Sequence, residues 1–354
     1  GKALEKKREY KELNLYLDSI RLRIMKIQRE LEIEEVSVSA NSVLDRFQGK
    51  DAPVQRTLFE VFREHNDKCV QLSGTDMAPA TVQRYETSLK HTRDFVWETY
   101  HKKDVLLDEV SRQFIEDYEF WLKTEKKCCH NTATKYLKNF KKITRIALAK
   151  GWMKNDPFLE IRFSLDKVEP DFLEDSEIQK LISKEIDIPR LSQVRDIFVF
   201  CCFTGLAFSD IHGLRKEHIV EDSNGVRWIR KGRQKTKIMC NIPLMEIPLK
   251  ILEKYSTNEY CKKHGVLFPV LCNQKMNAYL KELADICGIK KTLTTHVGRH
   301  TFATFALANG VSIESVAKML GHTNVQMTRH YARVLDRTVI REMSQIKMDF
   351  HISI

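Results

Sequence analysis

Four residues near the end of the 354-residue sequence, His296, Arg299, His322 and Tyr331, have the types and spacing to act on one substrate group. His296 and Arg299 stand three apart in Thr294-Thr295-His296-Val297-Gly298-Arg299-His300-Thr301, so a helix there puts both on one face. His322 follows a glycine in Leu320-Gly321-His322-Thr323, where a helix stop sets its ring on a turn rather than in a packed row. Tyr331 comes nine residues later, on a further short helix expected over 325–333. His300 neighbours Arg299 but is read as pointing off that face, and so as structural.

This set suits phosphoryl transfer without a metal. A phosphodiester under attack gains charge on its equatorial oxygens, which a guanidinium fork and imidazole N–H donors can stabilise. Tyrosine is a feasible covalent nucleophile, and a phosphotyrosyl ester keeps the bond energy for re-ligation. The leaving 5′ oxygen needs a proton, which a lysine can supply when neighbouring cations lower its pKa. Cys261, His264 and Cys272 lack a fourth ligand at sensible spacing, so neither metal nor other cofactor is expected.

The elements that must carry these residues are mainly helical, as 42% hydrophobic residues with only 13 Gly and 8 Pro suggest. The period predicts helices over 57–71, 79–100, 111–125 and 131–150, the last capped by Asn131 and stopped by Gly151. Later helices are expected over 174–184, 191–203, 247–255, 274–287, 296–308 and 312–320. Between them Val226 to Ile242 switches to alternation around a polar turn, Lys231–Lys235, and predicts a hairpin or small sheet. At the other end, Leu13, Leu17, Ile20, Ile24, Ile27 and Leu31 form a helical seam, followed by a short helix and linker to Lys50. Asn155-Asp156-Pro157 and Lys167–Asp171 punctuate the chain again. The domains expected are therefore 1–50, 51–165 and 166–354.

Charge points to a polyanion. Lys and Arg number 59 against 48 Asp and Glu. Residues 123–154 hold ten Lys or Arg against one acid, Glu125, and Lys135, Lys138, Lys142 and Arg145 fall on one face of the 131–150 helix. Contact with DNA phosphates is the reading. Nine cysteines, with no CxxC, do not form a disulfide framework, so a reducing cytoplasm is expected. The longest apolar run, Ile197 to Phe208, is too short to span a bilayer. Gly1 stands where a Met would, which suggests that upstream sequence is missing.

In order and spacing, His296-x-x-Arg299, Gly321-His322 and Tyr331 resemble the signature of the tyrosine recombinases, the phage-integrase family. Thr204-Gly205-Leu206-Ala207-Phe208-Ser209-Asp210-Ile211 resembles that family's first catalytic box, and its wording is similar to integrases of Bacteroidetes conjugative and mobilisable elements. The resemblance is strong over 172–340 and moderate over 55–160. It implies a helical, SAM-like core-binding domain followed by a mixed α+β catalytic domain, with 1–50 as the remnant of an arm-binding domain. It implies Tyr331 as nucleophile, Arg299 as the second family arginine, and His296 and His322 as phosphate or proton-handling groups. Lys235, in Lys231-Gly232-Arg233-Gln234-Lys235-Thr236, matches the general-acid lysine, and Asp210 an acid that orients the first arginine.

That first arginine is absent: Ala207 stands in its place. Either Arg233 supplies the missing fork from the hairpin, or the protein is a weakened recombinase that regulates by binding DNA. The resemblance further implies double-stranded DNA with a specific core site, a tetramer on two duplexes, clamping of the duplex by both domains, and a Holliday junction. An accessory DNA-bending protein is a possible partner; a membrane is not. A type IB topoisomerase-like nicking–closing enzyme shares the nucleophile and stays open as an alternative. The tail Val334 to Ile354, with Met348, Phe350, Ile352 and Ile354, is expected to dock on a neighbouring protomer.

Overall fold

Helices begin where a side chain can take over backbone donors that the first turn leaves unpaired. In the computed structural model, which describes residues 8–34, 37–49, 56–331 and 343–344, the chain divides into two units, Gly1–Lys167 and Val168–Ile354. The first unit holds α1 (Arg8–Ile33), α2 (Ala40–Phe47), α3 (Leu58–Gln71), α4 (Pro79–Tyr100), α5 (Arg112–Thr124) and α6 (His130–Ala149). Thr57 caps α3 in a reciprocal box with Glu60, Ser39 and Ser111 cap α2 and α5, and Pro79 opens α4. Asn131, expected to cap α6, lies inside its first turn, and Cys129 precedes the helix instead. The Asn131 amide is occupied elsewhere: it donates to the Asp166 carbonyl at 3.0 Å and accepts from the Asp166 N–H at 2.8 Å.

The α3–α6 bundle closes on aromatic side chains. Phe95 meets Phe114 and Tyr118 at 5.1 Å between ring centroids, and Phe140 and Phe158 are fully buried. Of the expected α1 seam, Ile27 and Leu31 are buried, whereas Leu13, Leu17 and Ile24 remain exposed.

The second unit holds α7 (Asp175–Ser183), α8 (Pro189–Thr204), α9 (Phe208–His212), strands β1 (Ile219–Glu221), β2 (Arg227–Gly232) and β3 (Met239–Pro243), then α10 (Glu246–Tyr255), α11 (Glu259–His264), α12 (Asn273–Ile286), α13 (Thr295–Ala308), α14 (Ile313–Leu320) and α15 (Gln326–Arg329). The strands form one antiparallel sheet in sequence order, with Ile229 opposite Ile242 and Lys231 opposite Cys240. The fold is mainly α with a small sheet in the second unit, as the sequence implies. β1, α9 and α11 were not anticipated, because three to six residues show no usable period. The apolar run from Ile197 forms the second half of α8, buried from Ile197 to Cys202 because α7, α10, α12 and α13 pack around the helix.

Two expectations change. α15 stops at Arg329, so Tyr331 lies past the helix, in a turn whose N–H donates to the Thr328 carbonyl at 3.0 Å. The tail expected to dock on a neighbour falls outside the described residues apart from Met343 and Ser344. All nine cysteines are free thiols, and no helix among the described residues is long and apolar enough to cross a membrane.

Candidate active site

Arg299 is the centre of the second unit's polar cluster. It sits one turn into α13 and is 1% exposed, the largest fully buried side chain described. Its Nη1 donates to the Gly205 carbonyl at 2.7 Å and its Nη2 to the Leu320 carbonyl at 2.6 Å. These carbonyls end α8 and α14, so the cation lies at the negative ends of two helices. Both helices stop on a left-handed glycine that nothing larger can replace. A Cβ on Gly205 (φ +67°) would stand 2.4 Å from the Phe302 ring, and one on Gly321 (φ +62°) 2.7 Å from Cys240 Sγ. Burial lowers the Arg299 pKa, with Arg233 adding to it, while the Tyr331 hydroxyl acts the other way through charge and a hydrogen bond.

His322 follows Gly321 and reaches Arg299 at once: Nη2 donates to His322 Nε2 at 3.1 Å. A guanidinium can only donate, so Nε2 carries the lone pair and Nδ1 the hydrogen. That hydrogen goes to Thr328 Oγ1, 2.8 Å away. Burial, then Arg299 and Arg233, push the imidazole down to about 4, so it is neutral at pH 7. The Tyr331 ring is buried and stacks parallel to His322, 11° apart in plane and 6.0 Å between centroids.

His296 stands one turn before His300, as i,i+4 spacing demands, with the rings 4.3 Å apart. Burial lowers its pKa first, followed by the charges of Arg299, Arg233 and Lys235. His300 is not turned away from this group. Its ring lies 4.8 Å from that of Tyr331, closer than His322.

Around the position without its arginine, the hairpin brings a different arginine close. Ala207 precedes α9, and Asp210 on that helix is 1% exposed. Asp210 Oδ1 accepts the Gln234 N–H at 2.8 Å, and Oδ2 lies 3.8 Å from Arg233 Nε in an ion pair. Arg233 is itself largely buried, and its Cδ would stand 3.5 Å from a Cβ on Gly321. The acid expected to serve an arginine at 207 thus faces Arg233. Lys235 is exposed at the tip of the turn, near enough for its charge to act on His296.

In the first unit, Lys135, Lys138, Lys142 and Arg145 are all exposed along α6, and no carboxylate among the described residues pairs with them. Lys142 Nζ donates to the Tyr85 hydroxyl at 3.0 Å and lies over that ring. Other lysines of the 123–154 patch do find partners that their own segment lacks: Lys123 on Glu119, Lys126 on Asp94 and Lys150 on Glu64. Cys261, His264 and Cys272 do not converge, and no group of three or more metal-binding side chains does so among the described residues.

Sequence reasoning missed Thr328 and misplaced His300. His300 carried a usable signal, its four-residue distance from His296; Thr328 carried none beyond lying three residues before Tyr331.

A profile described as "Phage integrase SAM-like domain" matches residues 57–165, and one described as "Phage integrase family" matches residues 171–338. The chain is 29% identical over 265 residues to a "Tyrosine recombinase" of Pseudothermotoga lettingae, covering 73% of this chain and 88% of the relative. It is 26% identical over 266 residues to "Tyrosine recombinase XerD" of Oceanobacillus iheyensis, covering 72% and 87%. Among solved structures, its fold is similar to a lambda integrase dimer bound to a COC′ core site, with TM-score 0.63, 17% identity, and coverage of 84% of this chain and 100% of that one. It is also similar to the Tn1549 transposon integrase in complex with a circular intermediate DNA (TM-score 0.61, 18% identity, 82% and 99% covered). A lambda integrase tetramer bound to a Holliday junction scores 0.63 at 17% identity, with 88% and 87% covered.

Proposed function

This chain carries the SAM-like and integrase domains of the phage integrase family, the tyrosine recombinases, and from that premise we propose that it is a site-specific DNA recombinase acting as an integrase. Tyr331 attacks the scissile phosphorus; the P–Oη bond forms, the P–O5′ bond breaks, and Lys235 protonates the departing 5′ oxygen. Arg299 and Arg233 donate to the non-bridging oxygens, and His296 and His322 handle phosphate or proton. The 5′-hydroxyl of a partner strand then reverses the step, by way of a Holliday junction, with no metal or ATP.

One observation carries the reading. A buried tyrosine stands against Arg299, His322 and His300 of its own chain, with the Arg233–Asp210 pair beside them. Residues 51–165 would grip duplex DNA through the α6 stripe, and 166–354 would perform the chemistry on four protomers holding two duplexes, with or without an accessory bending protein. The element moved would be a conjugative or mobilisable one, like those of Bacteroidetes whose first catalytic box this one resembles.

Ala207 motivates the rival reading, a DNA-binding regulator on a disabled recombinase fold; the Asp210–Arg233 pair argues against it. Incubation with a nicked, site-bearing suicide duplex separates the two. A covalent adduct with wild type and none with Tyr331→Phe is the expected result. Intact binding with no adduct would establish the regulator, and supercoil relaxation without a site the topoisomerase-like enzyme.

A further inference from the structure

Lys235, the proposed acid, is exposed at the hairpin tip, but the residues on either side of it are tied down. The Gln234 N–H donates to Asp210 Oδ1 on α9 at 2.8 Å, and the Thr236 hydroxyl donates to the Gly321 carbonyl at 3.2 Å, across 85 residues of sequence. Within the turn, the Arg233 N–H donates to the Ile238 carbonyl and the Lys237 N–H to the Arg233 carbonyl, both at 2.8 Å. Lys237 closes that turn at φ +60°, a left-handed conformation that costs free energy in a residue with a Cβ. The bonds to Asp210 and Gly321 help to hold it there.

We propose that Thr236 is a positioning residue: its hydroxyl latches the lysine-bearing turn onto the Gly321 carbonyl and so sets where Lys235 meets the leaving 5′ oxygen. The proposal deepens the recombinase reading and rests on it. The turn around Gly321 is shared with the rest of the site. The Leu320 carbonyl accepts from Arg299 Nη2 at 2.6 Å, the Gly321 carbonyl accepts from Thr236, and His322 Nε2 accepts from Arg299 at 3.1 Å. Three consecutive residues thus bring the acid's turn into register with the guanidinium that would hold the phosphate. The approach is close because residue 321 has no side chain. A Cβ there would stand 3.4 Å from the Ile238 carbonyl oxygen and 2.7 Å from Cys240 Sγ, both of the hairpin.

The two tethers differ in kind. That of Gln234 is a backbone bond, which outlasts any change of its side chain; that of Thr236 is carried by one hydroxyl. Valine at 236 keeps the size of the side chain and removes the hydroxyl; serine keeps the hydroxyl. In the proposed step the Tyr331 Oη–phosphorus bond forms, the P–O5′ bond breaks, and the Lys235 ammonium gives its proton to O5′. With sulfur in place of O5′ the P–S bond breaks and a thiolate leaves unprotonated, so neither the acid nor its placement should matter. This separates a hydroxyl that positions Lys235 from one that only stabilises the unit.

The test uses Thr236→Val, Thr236→Ser and Lys235→Ala in the full chain, with wild type and Tyr331→Phe as controls. Each protein meets two nicked, site-bearing suicide duplexes, one natural and one with sulfur as the bridging 5′ atom of the scissile phosphate, and DNA binding is measured alongside. On the natural duplex Thr236→Val is expected to form adduct about 10²-fold more slowly, in keeping with a reacting group displaced by ~1 Å, with binding kept. Thr236→Ser should stay near the wild-type rate. On the sulfur duplex Thr236→Val and Lys235→Ala should both return close to wild type. Thr236→Val at the wild-type rate on the natural duplex, or equally slow on both, would overturn the proposal. So would a serine variant as slow on the natural duplex as Lys235→Ala, even where the valine variant fails to fold. Slow cleavage of both duplexes by Lys235→Ala would overturn Lys235 as the acid, and the latch with it. No adduct from wild type on either duplex would overturn the recombinase reading on which both rest.

Discussion

The two units use their cations in opposite ways. Along α6 of the first, Lys135, Lys138, Lys142 and Arg145 stand in solvent, over a core of uncharged aromatic rings. In the second, Arg299 is buried to 1% exposure, Arg233 is largely buried, and Asp210 lies beneath them. A solvated lysine loses little hydration on meeting a DNA phosphate and is screened by salt, which suits a grip that forms and releases. A buried guanidinium has been desolvated during folding, at a cost offset by the carbonyls of Gly205 and Leu320. It is therefore preorganised for charge that develops in a transition state. On the proposed reading the cations that would grip DNA are exposed and the two arginines that would meet developing charge are buried, while Lys235, the proposed acid, is exposed.

Arg299→Leu should break the contrast most completely. It strands two carbonyls and the His322 lone pair inside the second unit, so adduct formation should fall by about 10³-fold and stability by about 2–4 kcal/mol. Denaturant unfolding should show a lower midpoint at unchanged slope. A variant that melts like wild type would mean that the buried cation is not part of the unit's framework.

Arg233→Ala comes next. The hairpin arginine caps no helix end, so its loss should cost less stability while adduct formation falls by about 10²-fold with DNA binding kept. Adding Ala207→Arg to that variant sharpens the test, because Asp210 on α9 is placed to face either arginine. Partial recovery is expected; unchanged cleavage by Arg233→Ala alone would remove Arg233 from the site.

How much of this was legible in the sequence follows from the range of each interaction. The bounds of α4, α8 and α13 came through to within two residues because an apolar period acts between near neighbours in the chain. His296, Arg299, His322 and Tyr331 could be picked out because their types and order resemble a family signature, although Arg299 and His322 are themselves 23 residues apart. The pairing of Asp210 with Arg233 spans 23 residues and a change from helix to strand, and only the closed sheet brings the two together. Thr328 escaped because a threonine at a helix end is ordinary, and its value lies in a ring that arrives from beyond Gly321. Partners for part of the 123–154 charge run escaped for the same reason: Glu64, Asp94 and Glu119, which pair with Lys150, Lys126 and Lys123, lie outside the segment.

The smallest expected effects belong to the α6 stripe, where cations act singly. Each of Lys135→Gln, Lys138→Gln and Arg145→Gln should weaken DNA binding alike on any sequence and reduce the slope of log affinity against log salt by about 1. Adduct formation at saturating DNA should stay the same, since none of these residues belongs to the site around Arg299. Lys142 allows a finer distinction, because its ammonium is already held by the Tyr85 hydroxyl and ring. Lys142→Gln removes a charge and should reduce the slope like the others. Tyr85→Phe removes only the hydroxyl that steadies it, so affinity should fall about twofold, in keeping with a net hydrogen bond of ~0.5 kcal/mol, with the slope unchanged. A slope that falls in Tyr85→Phe would mean that the hydroxyl, and not the lysine alone, sets how Lys142 meets the phosphate.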